Sequence, residues 1–207
     1  MLRTRAPKRF AEALTGFTNG PTSVMPRASQ PHTPDLDLAA RRQFAAEGAT
    51  ATVLTPDLKT FCQSGVSVIV AAGGPGEMPV AGVGSGCRVL SSGNMRLLLH
   101  RSGNEGLLAT AERGGLVSAT FSQPLTHRSI QVKGRLAAIA PPSEGDGDEA
   151  ARQMTGLHRE LVAIGDKPAF CEAYCHVRAD DLVSVEITLE AAFVQTPGPG
   201  AGAELKP

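Results

Sequence analysis

From Leu182 to Val194 the chain alternates Val183, Val185, Ile187 and Leu189 with Ser184, Glu186, Thr188 and Glu190. A period of two predicts a strand with one apolar face. Val66–Ala72 is a β-branched run that predicts a first strand, and Gly73–Met78 a turn that sends the chain back. Pro79–Leu90 and Met95–His100 follow as strands joined by the hairpin turn Ser91-Ser92-Gly93-Asn94, and Leu116–Ser122 and Arg128–Ile139 as the fourth and fifth. Helical patterns fall between them. Thr55 can cap a short helix from Pro56 to about Gln63. Ser102-Gly103-Asn104-Glu105 has the form of a capping box, ahead of a helix with Leu107, Leu108 and Ala111 on one stripe that stops at Gly114-Gly115. Pro141–Gly147 reads as an acidic loop; Met154, Leu157, Leu161 and Ile164 lie at helical spacing after it, and a short helix fits Pro168–Val177. Six strands with helices grouped between the third and fourth and between the fifth and sixth do not make a βαβ rhythm. The expected class is mainly β with peripheral helices, a small six-stranded antiparallel barrel.

The ends of the chain differ from this middle. Up to Gln30 there are Arg3, Arg5, Lys8, Arg9 and Arg27 against Glu12, then the loop-like Pro31-His32-Thr33-Pro34, and no sustained apolar period. Residues 1–50 are therefore expected to be an N-terminal extension, disordered or loosely attached and dispensable for the fold. A basic, acid-poor start is compatible with a transit peptide, although the Ser/Arg amphipathic pattern of such peptides is weak here. The domain is expected to span 51–195, with 196–207 a Pro/Gly-rich tail that cannot continue a sheet.

Composition narrows the function. Among 207 residues, 20 Lys and Arg balance 20 Asp and Glu, with one Tyr and no Trp, which provides neither the basic field nor the stacking rings of a nucleic-acid binder. No apolar stretch approaches the roughly 20 residues of a spanning helix, so no membrane partner is expected. Cys62, Cys87, Cys171 and Cys175 are too few to staple a chain of this size and read as reduced thiols of a cytoplasmic protein. Cys171-x-x-x-Cys175-His176 lacks the second cluster a zinc site needs, so no metal is assigned.

Three places could carry chemistry. Gly82-Val83-Gly84-Ser85-Gly86 is not a dinucleotide loop, since position 87 is Cys and the chain runs on in a strand. Its three glycines leave either a flat slot for a backbone or planar ligand, or a bulge or barrel corner. The junction His100-Arg101-Ser102-Gly103-Asn104 joins a strand to a helix N-terminus beside two cationic side chains, which suits a phosphate or is a plain helix cap. On the fifth strand Ser129, Gln131, Lys133 and Arg135 share a polar face; Gln131 can read a heteroaromatic edge and Lys133 can answer a phosphate or carbonyl oxygen. There is no G-x-S-x-G and no histidine in a nucleophile motif, so no catalytic residue is assigned.

Leu54-Thr55-Pro56-Asp57-Leu58, the strands from Val66, Pro79 and Met95, and above all Thr126-His127-Arg128-Ser129-Ile130-Gln131-Val132-Lys133-Gly134-Arg135 resemble the FMN-binding split barrels related to pyridoxamine 5'-phosphate oxidase, over about residues 52–195. The resemblance implies a split barrel acting as a homodimer, with FMN at each subunit boundary. It places the phosphate near the third strand and following helix, and the ring beside the second and fifth strands. It makes Gly84, Ser85, His100, Arg101, Ser102, Ser129, Gln131 and Lys133 the cofactor-binding candidates. The oxidases continue Ser-Arg-Lys after the third strand, where Ser102-Gly103-Asn104 stands here. They carry Arg and Lys on the second strand, where this chain has glycines, and a closing Trp that it lacks. The expected function is therefore an FMN-binding protein, a flavin-dependent oxidoreductase of unknown small-molecule substrate other than pyridoxamine phosphate. The alternative is a non-enzymatic dimeric ligand-binding or scaffold protein that has lost tight flavin binding.

Overall fold

The structure, a computed structural model, describes residues 31–47 and 52–206. Helices α1 (Pro34–Ala46) and α2 (Pro56–Cys62) precede strands β1 (Ser67–Gly73), β2 (Val80–Val89) and β3 (Met95–His100). Helix α3 (Glu105–Gly114), strands β4 (Leu116–Ser122) and β5 (Ser129–Ala140), helices α4 (Asp146–Ala163) and α5 (Pro168–Tyr174), and strand β6 (Leu182–Val194) complete the order. All strand pairings are antiparallel and close a barrel in the order β1-β2-β3-β6-β5-β4, as the alternation predicts.

The inward set is the apolar half of each strand: Val68 and Val70, Leu97 and Leu99, Ala119 and Phe121, Ile130 and Val132, Val183, Val185 and Ile187. The outward set of β1, β2, β4 and β5 forms a lateral row fixed by the register, Val83 beside Ile69, Ile69 beside Thr120, and Thr120 beside Gln131. Ile69 and Val83 are large apolar side chains left exposed, at 42% and 45%.

Helices α2 and α3 pack Leu58, Phe61, Leu107 and Ala111 into the barrel core, and polar contacts fix helix ends and α4. Thr55 caps α2 by accepting the Leu58 N–H at 3.2 Å, as its sequence predicts. Helix α4 begins at Asp146, inside the stretch expected to be loop. Its fully buried Asp146 carboxylate pairs with Arg88 of β2 (2.9 Å) and Arg96 of β3 (3.4 Å), and accepts the Ser143 N–H at 2.7 Å. An acidic first turn favours that start by complementing the helix dipole. Two turns further along α4, Gln153 lies against β2.

Residues 1–30 and 48–50 of the expected extension lie outside the described residues, but 34–46 are helical. Asp37 on α1 is 4% exposed and accepts from Arg128 Nε (3.0 Å) and Nη2 (2.6 Å), with His32 Nε2 at 2.9 Å. Arg41 donates to the carbonyls of Lys206 and Thr52. The apolar period that the sequence lacks here is replaced by an ion pair and main-chain contacts. The tail also returns to the barrel: Leu205 donates its N–H to Ala192 O at 2.7 Å and is buried in the core.

Candidate functional site

The outer face of β2, the end of β3, the start of α3, and helices α4 and α5 enclose a cleft of about 510 Å³. It is lined on the barrel side by Val83, Gly84, Ser85, His100, Ser102 and Asn104, and on the helical side by Met154, Ala173 and Tyr174. Four of the eight candidates, Gly84, Ser85, His100 and Ser102, thus meet in one place. A cofactor-sized volume suits it.

The glycine row itself is not an open slot. A Cβ on Gly82 would collide with Asn104 Oδ1, one on Gly84 would fall 2.9 Å from Val68 Cγ1, and one on Gly86 would fall 2.9 Å from Gln153 Oε1. The register shifts between Gly84 and Gly86, and Gly86 has φ +147°. The bulge alternative is the one found: each glycine admits a side chain of this same chain. Ahead of the bulge the regular alternation turns Ala81, Val83 and Ser85 to the cleft, and the bulge then turns Gly86 outward too, against Gln153. Ser85 is 5% exposed, and its hydroxyl pairs with no described residue.

Asn104, not Ser102, is the N-cap of α3, and its side chain makes no cap bond. Asn104 Nδ2 instead donates to His100 O (2.8 Å) and Val83 O (3.2 Å), tying β3 to β2; this fixes the amide orientation and leaves the buried Oδ1 without a partner. The capping box read from the sequence does not form. Ser102 donates both its N–H (3.1 Å) and its hydroxyl (2.9 Å) to Asp181 Oδ1, and Glu105 Oε2 accepts the Gly103 N–H at 2.9 Å. A carboxylate brought in by the turn before β6 outcompetes a neutral cap. Arg101 N–H goes to Asp181 O and Asn104 N–H to Arg101 O, so every N–H from Arg101 to Asn104 is already engaged.

His100 Nε2 accepts the Arg178 N–H at 3.0 Å, which puts the ring proton on Nδ1. Burial, followed by the charge of Arg178, holds its pKa below the ordinary value. His100 is therefore a neutral donor at pH 7, not the cation expected at this junction. Burial raises the Asp181 pKa, but bonds from Ser102 and from Arg178 (2.6 Å) outweigh it, and the carboxyl sits below the ordinary range. Arg101 is exposed and forms no ion pair among the described residues. A flavin ring fits the cleft's size and its Ser85 and His100 donors, whereas the N–H groups of the Arg101–Asn104 turn, expected to meet the phosphate half of FMN, are taken.

The β5 candidates lie apart. Ser129 is buried, its N–H donated to Thr196 Oγ1 (2.9 Å) and its hydroxyl 2.7 Å from that of Ser122, a structural role. Gln131 Nε2 donates to Thr120 Oγ1 at 3.2 Å, and Lys133 Nζ stands 4.5 Å over the Phe193 ring. Lys133 lines a second cleft of about 400 Å³ with Ala71, Gly74, Leu116 and Ser118. In barrel order β4 and β1 separate β5 from β2, so one chain keeps the two clefts apart. Tyr174, stacked on Phe170 with ring centroids 5.7 Å apart, and Asp181 are site residues that sequence reasoning missed.

Neither a family model nor a curated protein matches this chain. Solved structures do match. One described as an F420 reductase is similar at 12% identity and TM-score 0.41, covering 67% of this chain and 98% of its own. A putative pyridoxamine 5'-phosphate oxidase from Lactobacillus delbrueckii is similar at 13% identity and TM-score 0.41, covering 70% and 96%. A pyridoxamine 5'-phosphate oxidase-related, FMN-binding protein from Nostoc punctiforme is similar at 10% identity and TM-score 0.36, covering 65% and 78%. Two of these three carry in their descriptions the family that the Thr126–Arg135 segment resembles, while the barrel of this chain rests on its own strand register.

Proposed function

We propose that this chain is a flavin-binding barrel that works as a homodimer, a flavin-dependent oxidoreductase of unknown substrate. The observation that carries the reading is the cleft in which Gly84, Ser85, His100 and Ser102 converge, at the place the resemblance assigns to a flavin. The bound ring would supply the electron chemistry. Ser85 and His100 would orient its polar edge, and Met154 and Tyr174 would exclude water from one side.

The separation of the two clefts supports the homodimer reading. Between them runs the row Val83, Ile69, Thr120 and Gln131, free of charge and covered by no described helix. A two-fold axis through that face would set Gln131 and Lys133 of one protomer beside the β2–β3 cleft of its partner, and the reciprocal contact would complete the second site. The free state of all four cysteines supports a reducing compartment, hence the cytoplasm. Among the described residues no helix is long and apolar enough to cross a membrane.

A second reading, a dimeric ligand-binding or scaffold protein without tight flavin binding, is favoured by the engaged N–H groups from Arg101 to Asn104. Purified protein examined for flavin absorbance, with fluorescence titration of added FMN and riboflavin, decides between them. Binding of either flavin supports the first reading; colourless protein that quenches neither supports the second. Sedimentation of wild type and Ile69→Asp tests the dimer, with a micromolar wild-type monomer counting against it.

A further inference from the structure

We infer that Asp181 sets the charge of the ligand accepted at the His100–Asn104 turn: it is a resident anion that holds the turn's donors, so the cleft takes an uncharged, hydroxyl-bearing group and rejects phosphate. The ligand class rests on the flavin reading above; the exclusion of anions does not.

The argument starts from donors. A strand end leading into a helix offers N–H groups to an anion, and here those of the turn itself, Arg101 to Asn104, are spent. Asp181 Oδ1 takes two donors from Ser102, and Oδ2 takes the Arg178 guanidinium at 2.6 Å. Glu105 takes the Gly103 N–H. The charged groups facing the turn are then Asp180, Asp181 and Glu105 against Arg101 and Arg178, and Arg178 is already paired. An incoming phosphate would have to displace one carboxylate while lying beside the others.

An uncharged ligand meets no such opposition. Ser85 offers a hydroxyl with no partner among the described residues, and His100 a neutral Nδ1–H. Both can bond a polyol or an amide edge, and neither needs to give up a partner. Asp181 reaches Ser102, at the edge of the cleft, from the 3-10 turn Ala179–Asp181, and its own carbonyl also accepts the Arg101 N–H at 2.7 Å, so the residue is tied to the turn by both side chain and main chain.

The test uses the full chain, labelled for amide NMR and titrated with inorganic phosphate. Wild type should show no saturable displacement of the Ser102 and Gly103 amides, whereas Asp181→Ala, which frees the donors and Arg178, should show one. Saturable displacement in wild type, or none in a folded Asp181→Ala, overturns the inference. Should the alanine variant fail to fold, the isosteric Asp181→Asn must bind phosphate more tightly than wild type, and equal affinity overturns it. FMN and riboflavin should bind wild type alike; a preference for FMN of about ten-fold, the effect of one charge-assisted contact, would contradict the inference. If neither flavin binds, the flavin reading falls and the phosphate titration still decides this one.

Discussion

Gln153 of α4 hydrogen-bonds both main-chain groups of Cys87, accepting its N–H at Oε1 (3.0 Å) and donating from Nε2 to its carbonyl (2.6 Å). It fills the gap opened by the bulge at Gly86 and, with Asp146, fixes the helical wall of the cleft to β2. Gln153→Leu leaves both buried groups unpaired, each at a cost of about 1–3 kcal/mol. A stability loss of about 2–6 kcal/mol in denaturant unfolding is expected.

Gly82→Ala must push Asn104 aside, since its new methyl takes the place of Oδ1. The bonds of Asn104 to His100 and Val83 then weaken together, and a loss of about 1–3 kcal/mol is expected. Amide exchange should quicken at the start of α3 before it does elsewhere.

Asp37→Ala loosens α1, leaving it held by Arg41, without unfolding the barrel, because Arg128 keeps Asp57 and its place 4.4 Å over the Phe61 ring. Limited proteolysis should cut within 34–46 in this variant and spare that segment in wild type. Arg128→Ala strands the buried Asp37 carboxylate and should be the more damaging, by about 3–5 kcal/mol.

Acid should destabilise the protein in two stages. His100 has a lowered pKa, so the unfolded chain binds the extra proton more readily, and this contribution is lost as pH falls through the ordinary histidine value of 6.5. Burial raises the Glu149 pKa, but bonds from Arg152 and Gln153 outweigh it, as bonds to Asp181 do there. Both carboxylates contribute stability above the ordinary range, about pH 4, that is lost as pH falls through their lower folded values. His100→Gln should flatten the upper stage of a stability–pH profile and Glu149→Gln the lower.

Thiol reactivity should follow burial. Burial pushes the Cys175 thiol up to about 11, and those of Cys62 and Cys87, fully buried, higher still. A disulfide reagent at neutral pH should modify Cys175 slowly and first, and Cys62 and Cys87 only on unfolding.

What could be read from sequence alone was what repeats locally. Met95–His100, Leu116–Ser122 and Leu182–Val194 were bounded to the residue, because alternation and flanking turns both mark them. The glycine row was located but its direction was not, since the bulge and Gln153 that decide which way Gly86 faces involve a helix distant in the chain. The charge at Ser102 was misjudged for the same reason: its partner Asp181 lies before another strand. Helix α1 was missed because Asp37 and Arg41, not an apolar stripe, attach it.

The order of the strands also has a consequence for how the protein is made. Met95 pairs with Ile187 and Ile130 with Val194, so β6 supplies one neighbour to β3 and one to β5. A growing chain can assemble the β3-β2-β1-β4-β5 ribbon with both borders bare, and each bare border is a template for a foreign strand. Only when the final strand leaves the ribosome do the two borders vanish together. A chain cut short before Leu182 therefore loses one sixth of its strands and all of its protection against sticking to itself.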